Sequence, residues 1–401
     1  MNNVTENKNC LACGSEHLIP SLNLGNQPLA NNLLPEPATQ DSYPLAVNLC
    51  NDCYHLQLTH TVDPKIIYSN YLYVAGTSQT LKDYSEWFAG YVVERLSGLS
   101  YNVLDIGCND GTQLDCFVKH NMTTYGVDPA ENIHPTSSVK HNVICDFFGP
   151  EIVDKLSHVK YDAITAQNVF AHNQNPLEFL ETCSALMDTH TQLFIQTSQA
   201  DMVLNNEFDT IYHEHINFFN VNSMNELAKR AKLNLIDVIK TPIHGNSYVF
   251  VFSKLLKREH HVSNIIKHES KLLDAQTYID WEASTISNMN ILKATLTNLK
   301  SDGYKIIGYG AAAKGNTLLN YIDTPLDLII DDSPLKQNLY APGTNSPIKS
   351  VDALKEFSKE TKIVFMPLAW NFFTEISQRI KSVRNESHDK FLKYFPNVEV
   401  I

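Results

Sequence analysis

The strongest constraint on this chain is the order of its motifs. Two Cys-x-x-Cys pairs, Cys10/Cys13 and Cys50/Cys53, precede a glycine turn that closes a short apolar run, Val103-Leu-Asp-Ile-Gly-Cys-Asn-Asp-Gly111. Two such pairs make a tetrahedral set of four thiolate ligands. That set leaves no open coordination position, so a metal held there is structural. Residues 1–60 are loop-rich, with prolines at 20, 28, 35, 37 and 44. A segment this small buries too little apolar surface to fold unaided, and Zn2+ supplies the missing stability. The 36 residues between the pairs form an enlarged loop, and His55 reads as a neighbour of the metal rather than a ligand. The alternative is four reduced, unliganded thiols.

Length and charge narrow the rest. A chain of 401 residues is too long for one compact core and fits two or three domains. Its formal net charge of −13 repels phosphate backbones, and no basic stripe offsets it. That argues against a nucleic-acid partner. The N-terminus is polar, without an export signal's apolar stretch, and no apolar run is long enough to span a bilayer. The remaining cysteines, at 108, 116, 145 and 183, are scattered singly and do not suggest a secreted disulfide framework. The expected setting is cytoplasmic, with no membrane partner. The oligomeric state is left open, a monomer included.

Residues 62–100 are helical and aromatic (Tyr68, Tyr71, Tyr73, Tyr84, Trp87, Phe88) and read as a bridge to the next domain. Residues 101–255 alternate strands and helices. Strands are expected at Asn102–Ile106, Thr124–Val127, Val143–Cys145, Tyr161–Ala166 and Gln192–Gln196. Helices are expected at Thr112–His120, Pro176–Met187 and Ser223–Lys232, and Leu235–Ile239 with Tyr248–Ser253 reads as a closing antiparallel pair. Repeated β-α units imply a mostly parallel sheet with helices on both faces. Long helices over 256–300 lead to a second β-α pattern, with strands at Lys305–Gly308, Leu328–Ile330 and Ile363–Met366. The expected fold is α/β in three parts. A zinc-binding module occupies 1–62 and a Rossmann-like S-adenosylmethionine (SAM) methyltransferase core 63–255. A helical linker with a second Rossmann-like domain occupies 256–401.

The first glycine turn points to SAM. Ligands of open parallel sheets bind beyond the carboxyl ends of the strands, at the switch point. Asp105, Gly107, Asn109, Asp110 and Gly111 lie at such an end. Asp128 ends the next strand, where an acid can take two ribose hydroxyls, and Asp146-Phe147 follows the third, where it can border the adenine. The competing use is an NAD-type turn, but residues 103–114 lack the G-x-G-x-x-G pattern.

The most unusual stretch is Ile211-Tyr-His-Glu-His-Ile-Asn-Phe-Phe219, and Gln167-Asn-Val-Phe-Ala-His172 follows the fourth strand. Methyl transfer to oxygen or nitrogen needs alignment and little else, whereas transfer to carbon needs a carbanion equivalent. A C–H beside a ketone provides one if a base removes the proton and a donor steadies the enolate oxygen. A histidine tuned by a carboxylate suits the first task, and a second histidine or a tyrosine hydroxyl the second. The same residues also fit a metal pair at His213 and His215, or an ordinary half-buried segment.

A second glycine turn, Ile306-Ile-Gly-Tyr-Gly-Ala-Ala-Ala-Lys-Gly-Asn-Thr317, opens a helix whose N-terminus favours an anion. Lys314 adds a positive charge, Asn316 and Thr317 add polar contacts, and Asp331-Asp332 ends the next strand near where a ribose-binding acid belongs. A nucleotide-diphosphate handle is the expected use; a weak NAD site and a plain structural turn are the others.

These motifs together resemble those of the sugar C-methyltransferases acting on nucleotide-activated keto-deoxysugars. The likeness runs from residue 10 to about 380 and includes Asn23-Leu-Gly-Asn-Gln-Pro-Leu-Ala-Asn31, Gly308–Tyr321, Asp331–Gln337, Pro342-Gly343 and Trp370-Asn371. It implies a SAM-dependent C-methyltransferase of a nucleoside-diphosphate 4-keto-deoxysugar, acting at C3 and using structural zinc. His215 would be the base that removes the α-proton. His172 and Tyr212 would lie beside the enolate, Glu214 would orient the sugar or His215, and Tyr73 would close over the sugar. Asn168 would belong to the cofactor site, and Lys314, Asn316, Thr317 and Asp331 to the substrate site. Where the family reads His-Gly-Gly-Ser-x-Arg, this chain has His244-Gly-Asn-Ser-Tyr-Val249, without the second glycine and the arginine. Two other functions compete: a small-molecule O- or N-methyltransferase, and a zinc-ribbon interaction protein on a degenerate methyltransferase fold.

Overall fold

The computed structural model describes residues 3–68, 79–96, 101–198, 201–243, 245–256 and 260–401. Tyr73 and His244 lie outside the described residues. The cysteine module is more regular than its prolines suggest. Strands β2 (Leu18–Gln27), β3 (Tyr43–Cys50) and β4 (Leu56–Leu58) form an antiparallel sheet. The alternation Leu22, Leu24 against Leu45, Val47, Leu49 buries one face and makes a sheet of what the composition reads as loop. The β2 register slips twice, beside Pro20 and beside the left-handed Gly25, so the strand absorbs both as irregularities. A short ribbon of β1 (Val4–Glu6) with β5 (His60–Val62) closes the module. The fourth strand of its sheet comes from far along the chain: β11 (Asn217–Phe218) pairs with β4.

The core strands are β6 (Asn102–Ile106), β7 (Thr123–Val127), β8 (Asn142–Ile144), β9 (Ala163–Gln167), β10 (Gln192–Ser198), β12 (Asn234–Thr241) and β13 (Ser247–Ser253). The described residues order them β8-β7-β6-β9-β10-β13-β12. Strands β6 to β10 run parallel, and β13 lies antiparallel to both its neighbours. The order reverses between β6 and β9, so the crevice lies at their carboxyl ends. The helix Gln79–Arg95 packs Phe88, Ala89 and Val92 against Val103, Phe117 and Phe194 of the sheet layer. In the β12–β13 turn Gly245 has φ 80° and Asn246 φ 75°. Asparagine thus takes the left-handed conformation where the family has its second glycine, a substitution that this residue tolerates. Val249 stands where the family has arginine, and it is fully buried in β13.

The helix Ala275–Ser301 leads into β14 (Lys305–Tyr309), β15 (Leu328–Ile330), β16 (Ile348–Lys349), β17 (Ile363–Pro367), β18 (Lys390–Lys393) and β19 (Glu399–Val400). Their order, β16-β15-β14-β17-β18-β19, is a second Rossmann-like sheet with an antiparallel edge. One apolar core joins Leu22, Leu24 and Leu45 of the zinc module to Phe208 and Ile211 of the core and to Leu318 and Leu368 of the C-terminal domain. The segment 208–218 is therefore gripped from both sides. Among the described residues, no helix is long and apolar enough to cross a membrane.

Candidate active site

The cysteines form two matched knuckles. Gly14 N–H donates to Cys10 O at 2.8 Å, and Tyr54 N–H donates to Cys50 O at 2.9 Å. Both of those residues are left-handed, with φ 83° at Gly14 and 59° at Tyr54. Cys10 Sγ lies 3.6 Å from Cys53 Sγ, Cys13 Sγ lies 3.6 Å from Cys50 Sγ, and all four sulfurs lie within 4.8 Å of one another. A zinc tetrahedron with bonds of about 2.3 Å needs sulfurs about 3.8 Å apart, so the ligand set fits Zn2+. His55 is not in the cluster. It is buried, stacks on Phe219 at 4.4 Å and meets Asn217 Oδ1 through Nε2 at 3.1 Å.

The cofactor crevice is built on backbone strain. Gly107, Asn109 and Gly111 have φ of 71°, 50° and 86°. A Cβ on Gly107 would stand 2.3 Å from Val169 Cγ2, so the β6 turn and the turn after β9 touch there. Gly107 N–H donates to Val127 O and Asn109 N–H to Asp128 Oδ2, at 2.7 and 2.8 Å. Asp128 Oδ1 accepts from Ala130 N–H at 2.9 Å, and Asp110 Oδ1 accepts from Thr112 N–H at 3.1 Å. Asp105 lies beneath the turn, buried, with Thr165 Oγ1 donating to it at 2.6 Å; burial pushes its carboxyl up to about 7. Asp146 pairs with Lys155 at 2.8 Å, and Phe147 beside it is 64% exposed, leaving an apolar ring at the crevice edge. Asn168, with φ 54°, donates its N–H to Gln196 Oε1 at 3.0 Å. Gln167 Oε1 and Gln196 Nε2 are buried and have no partner among the described residues. An orphaned acceptor and an orphaned donor at these strand ends suit the ammonium and carboxylate of the amino-acid end of SAM.

The histidine cluster sits next to this crevice. His172 ends the turn that begins at Asn168, and its ring centroid is 4.9 Å from that of His215. Ile216 N–H donates to Ala171 O, and Leu58 N–H of the zinc module donates to Ile216 O, which fixes the strand between them. His215 Nδ1 lies 2.9 Å from Thr210 O, and its Nε2 lies 2.9 Å from Tyr212 Oη. A carbonyl can only accept, so Nδ1 carries the proton and the lone pair is on Nε2. His172 is pushed down to about 4, chiefly by burial, and is neutral at pH 7. Glu214 is buried and raised above the usual carboxylate range by that burial, which an Nδ2–H from Asn31 at 2.6 Å partly offsets. His213 faces the zinc module instead, donating through Nε2 to Tyr43 O at 3.2 Å. The two histidines of the motif thus part company, and no metal cluster forms around them among the described residues.

The second glycine turn is occupied differently. Asn316 and Thr317 are each 1% exposed, and Asn316 Nδ2 donates to Ala30 O of the zinc module at 2.8 Å. Lys314 Nζ lies 5.3 Å from the Trp370 ring centroid. Trp370 Nε1–H donates to Asp209 Oδ2 at 2.8 Å. Asp331 accepts from Ala311 N–H and Ser333 N–H, both at 2.8 Å. Sequence reasoning missed Thr210, Gln196, Asn31 and the Trp370–Asp209 link. A backbone carbonyl leaves no signal in a sequence, and Asn31 lies in a string of residues that reads only as part of the zinc module.

Three families of known proteins match successive parts of the chain. A zinc binding domain family matches residues 10–68, a methyltransferase domain family 79–238, and a C-methyltransferase C-terminal domain family 242–396. The chain belongs to the SAM-dependent methyltransferases assembled from these three parts. It is similar to C-methyltransferase NovU of Streptomyces niveus, 27% identical over 410 residues, covering 98% of this chain and 96% of that protein. Ubiquinone biosynthesis O-methyltransferase of Coxiella burnetii is 23% identical over 171 residues, 38% of this chain and 71% of that protein. A solved SAM-dependent methyltransferase from Clostridium acetobutylicum aligns at 12% identity with TM-score 0.35, over 48% of this chain and 96% of its own.

Proposed function

We propose that this enzyme methylates carbon, at C3 of a nucleoside-diphosphate 4-keto-deoxysugar, with His215 as the base. The observation that carries the reading is the clamp on His215, with Nδ1 on Thr210 O and Nε2 against Tyr212 Oη. In this arrangement the basic nitrogen is Nε2, beside the Tyr212 hydroxyl. Nε2 takes the α-proton, and the C–H electron pair moves into the carbonyl to give an enolate. Tyr212, released from Nε2, donates its hydroxyl to the enolate oxygen. His172 lies beside the enolate and, being neutral, does not repel the imidazolium formed 4.9 Å away. Bound SAM supplies a methyl on a positively charged sulfur, the electrophile that such a carbon needs. Glu214 accepts a sugar hydroxyl. Asp128 receives the ribose of the cofactor, with Asp146-Phe147 beside its adenine. Lys314 offers its charge to the diphosphate, with Asp331 at the end of the next strand.

The test is incubation with SAM and a panel of nucleoside-diphosphate 4-keto-6-deoxyhexoses in deuterated water, followed by mass spectrometry. Wild type is expected to exchange the α-hydrogen and add a methyl. His215→Ala should lose both by about 10³-fold while binding SAM normally. Methylation that persists in His215→Ala overturns the assignment, and methylation without exchange moves the acceptor to oxygen or nitrogen.

A further inference from the structure

Glu214 is reached by a residue that belongs to neither Rossmann-like domain. The segment 28–31 of the zinc module runs between the second glycine helix and the histidine segment. On one side Asn316 Nδ2 donates to Ala30 O at 2.8 Å, and Asn320 Nδ2 donates to both Asn316 O and Pro342 O, at 2.8 and 3.1 Å. A Cβ on Gly343 would stand 2.9 Å from Pro28 Cγ, so the C-terminal domain packs directly on this segment. Further along, Leu34 bridges to Tyr340, and Asn345 Oδ1 accepts from Ala38 N–H at 3.1 Å. On the other side Asn31 Nδ2 donates to Glu214 Oε1 at 2.6 Å. Asn31 itself is exposed, and its bond to Glu214 is partly buried.

We propose that Asn31 is a positioning residue for Glu214, and that Asn316 of the second glycine helix holds it in place through the Ala30 carbonyl. A carboxylate accepts from Asn31, whereas a protonated carboxyl gains less from the same donor, so the contact favours the ionised acid. It also fixes Oε1 and leaves the second oxygen to accept a sugar hydroxyl. Burial works the other way, raising Glu214. Among the described residues, the titratable groups on and beside its segment are Tyr212, His213 and His215, with His172 against the Glu214 backbone and Tyr43 of β3 beside His213. The role of Glu214 toward the sugar rests on the proposed function; the effect of Asn31 on Glu214 does not.

The experiment keeps the two apart. In the full-length zinc-loaded protein, infrared titration follows the carboxyl stretch of protonated Glu214, identified by its absence from Glu214→Gln. Its midpoint should rise in Asn31→Ala and rise further in Asn31→Asp, which keeps the shape but adds a like charge. With the keto-deoxyhexose panel, kcat/KM of Asn31→Ala should fall about tenfold on the acidic side of the infrared midpoint, and the deficit should shrink as pH rises and Glu214 ionises. An unmoved infrared midpoint in both variants overturns the proposal, as does a loss of activity that is the same at every pH. If wild type turns over no sugar in the panel, the proposed function fails and the infrared arm still decides the role of Asn31.

Discussion

The two glycine turns share one backbone device and differ in what fills it. In the core Gly107 N–H donates to Val127 O, and in the C-terminal domain Gly310 N–H donates to Ile330 O, both at 2.7 Å. Asp128 and Asp331 each accept one amide from the glycine turn and one from two residues further on. The acid at the second strand end is thus a brace for the turn in both places, before any ligand is considered. The difference begins one residue later. The core turn passes through three left-handed residues before its helix starts at Thr112. In the other turn Gly310 is left-handed, with φ 94°, and the helix Ala313–Tyr321 then packs onto its neighbours. A Cβ on its Gly315 would stand 2.7 Å from Leu368 Cβ, and its Asn316 holds the zinc module. A glycine turn with an acid downstream therefore identifies a strand–turn–helix geometry, and the neighbours decide whether it carries a ligand or a domain contact.

The largest expected contrast is between Gly107→Ala and Gly315→Ala. The first puts a Cβ 2.3 Å from Val169 Cγ2 at a φ of 71°, so Val169 must move and with it the turn that carries Asn168. SAM affinity by calorimetry should fall by about 100-fold, roughly two lost charge-assisted contacts. The second overpacks the Leu368 contact and should cost about 1–3 kcal/mol of stability in denaturant titration, with SAM affinity unchanged. Equal losses of SAM binding would break the comparison.

The same contrast explains what was legible in the sequence. The seven core strands and both glycine turns announced themselves through short apolar runs, of which β6, β7 and β8 lead into a glycine or an acid. The closing pair Leu235–Ile239 with Tyr248–Ser253 was legible for the same reason, and it is the antiparallel β12–β13 hairpin. The module sheet was not legible, because Pro20 and Gly25 hide an alternation that becomes visible once Leu22, Leu24, Leu45, Val47 and Leu49 share a face. β11 was invisible, since two residues carry no periodicity and Asn217-Phe218 is a strand because β4 waits for it. In the candidate site, Tyr212, Glu214 and His215 stood out as a cluster, whereas the side-by-side histidines of the motif gave no hint that His213 turns to Tyr43. Asn316 and Thr317 looked like ligand contacts because polar residues in a helix's first turn resemble an anion site. Only the fold shows that Asn316 meets Ala30.

A smaller contrast comes from Asp128→Asn and Asp331→Asn. Each replaces one of two accepting oxygens by an NH2 that opposes a backbone N–H, so both should cost about 1–3 kcal/mol of stability. SAM affinity should also fall, by about tenfold, in Asp128→Asn, because ribose hydroxyls lose an ionised acceptor, and should be unaltered in Asp331→Asn. Thermal unfolding with and without SAM separates the two. A SAM-induced stabilisation that survives in Asp128→Asn would remove the ribose role and leave the brace.

The smallest effect tests whether Lys314 acts inside the protein. Burial pushes Glu207 up to about 8, the nearby charge of Asp209 adds to this, and Lys314 opposes both. An acid raised on folding contributes stability that is fully present below its unfolded value of about 4.3 and is lost as pH rises through the folded value. Wild type should therefore lose stability between about pH 5 and 8 in a way that Glu207→Gln does not. The gap in Tm between them should move by about 2–4 °C in favour of the variant from pH 5.5 to 8.5. Lys314→Met removes the opposing charge and should steepen the wild-type loss. If a nucleoside diphosphate instead draws Lys314 to itself, adding one should reproduce the Lys314→Met slope in wild type and leave the pH slope of Glu207→Gln unchanged.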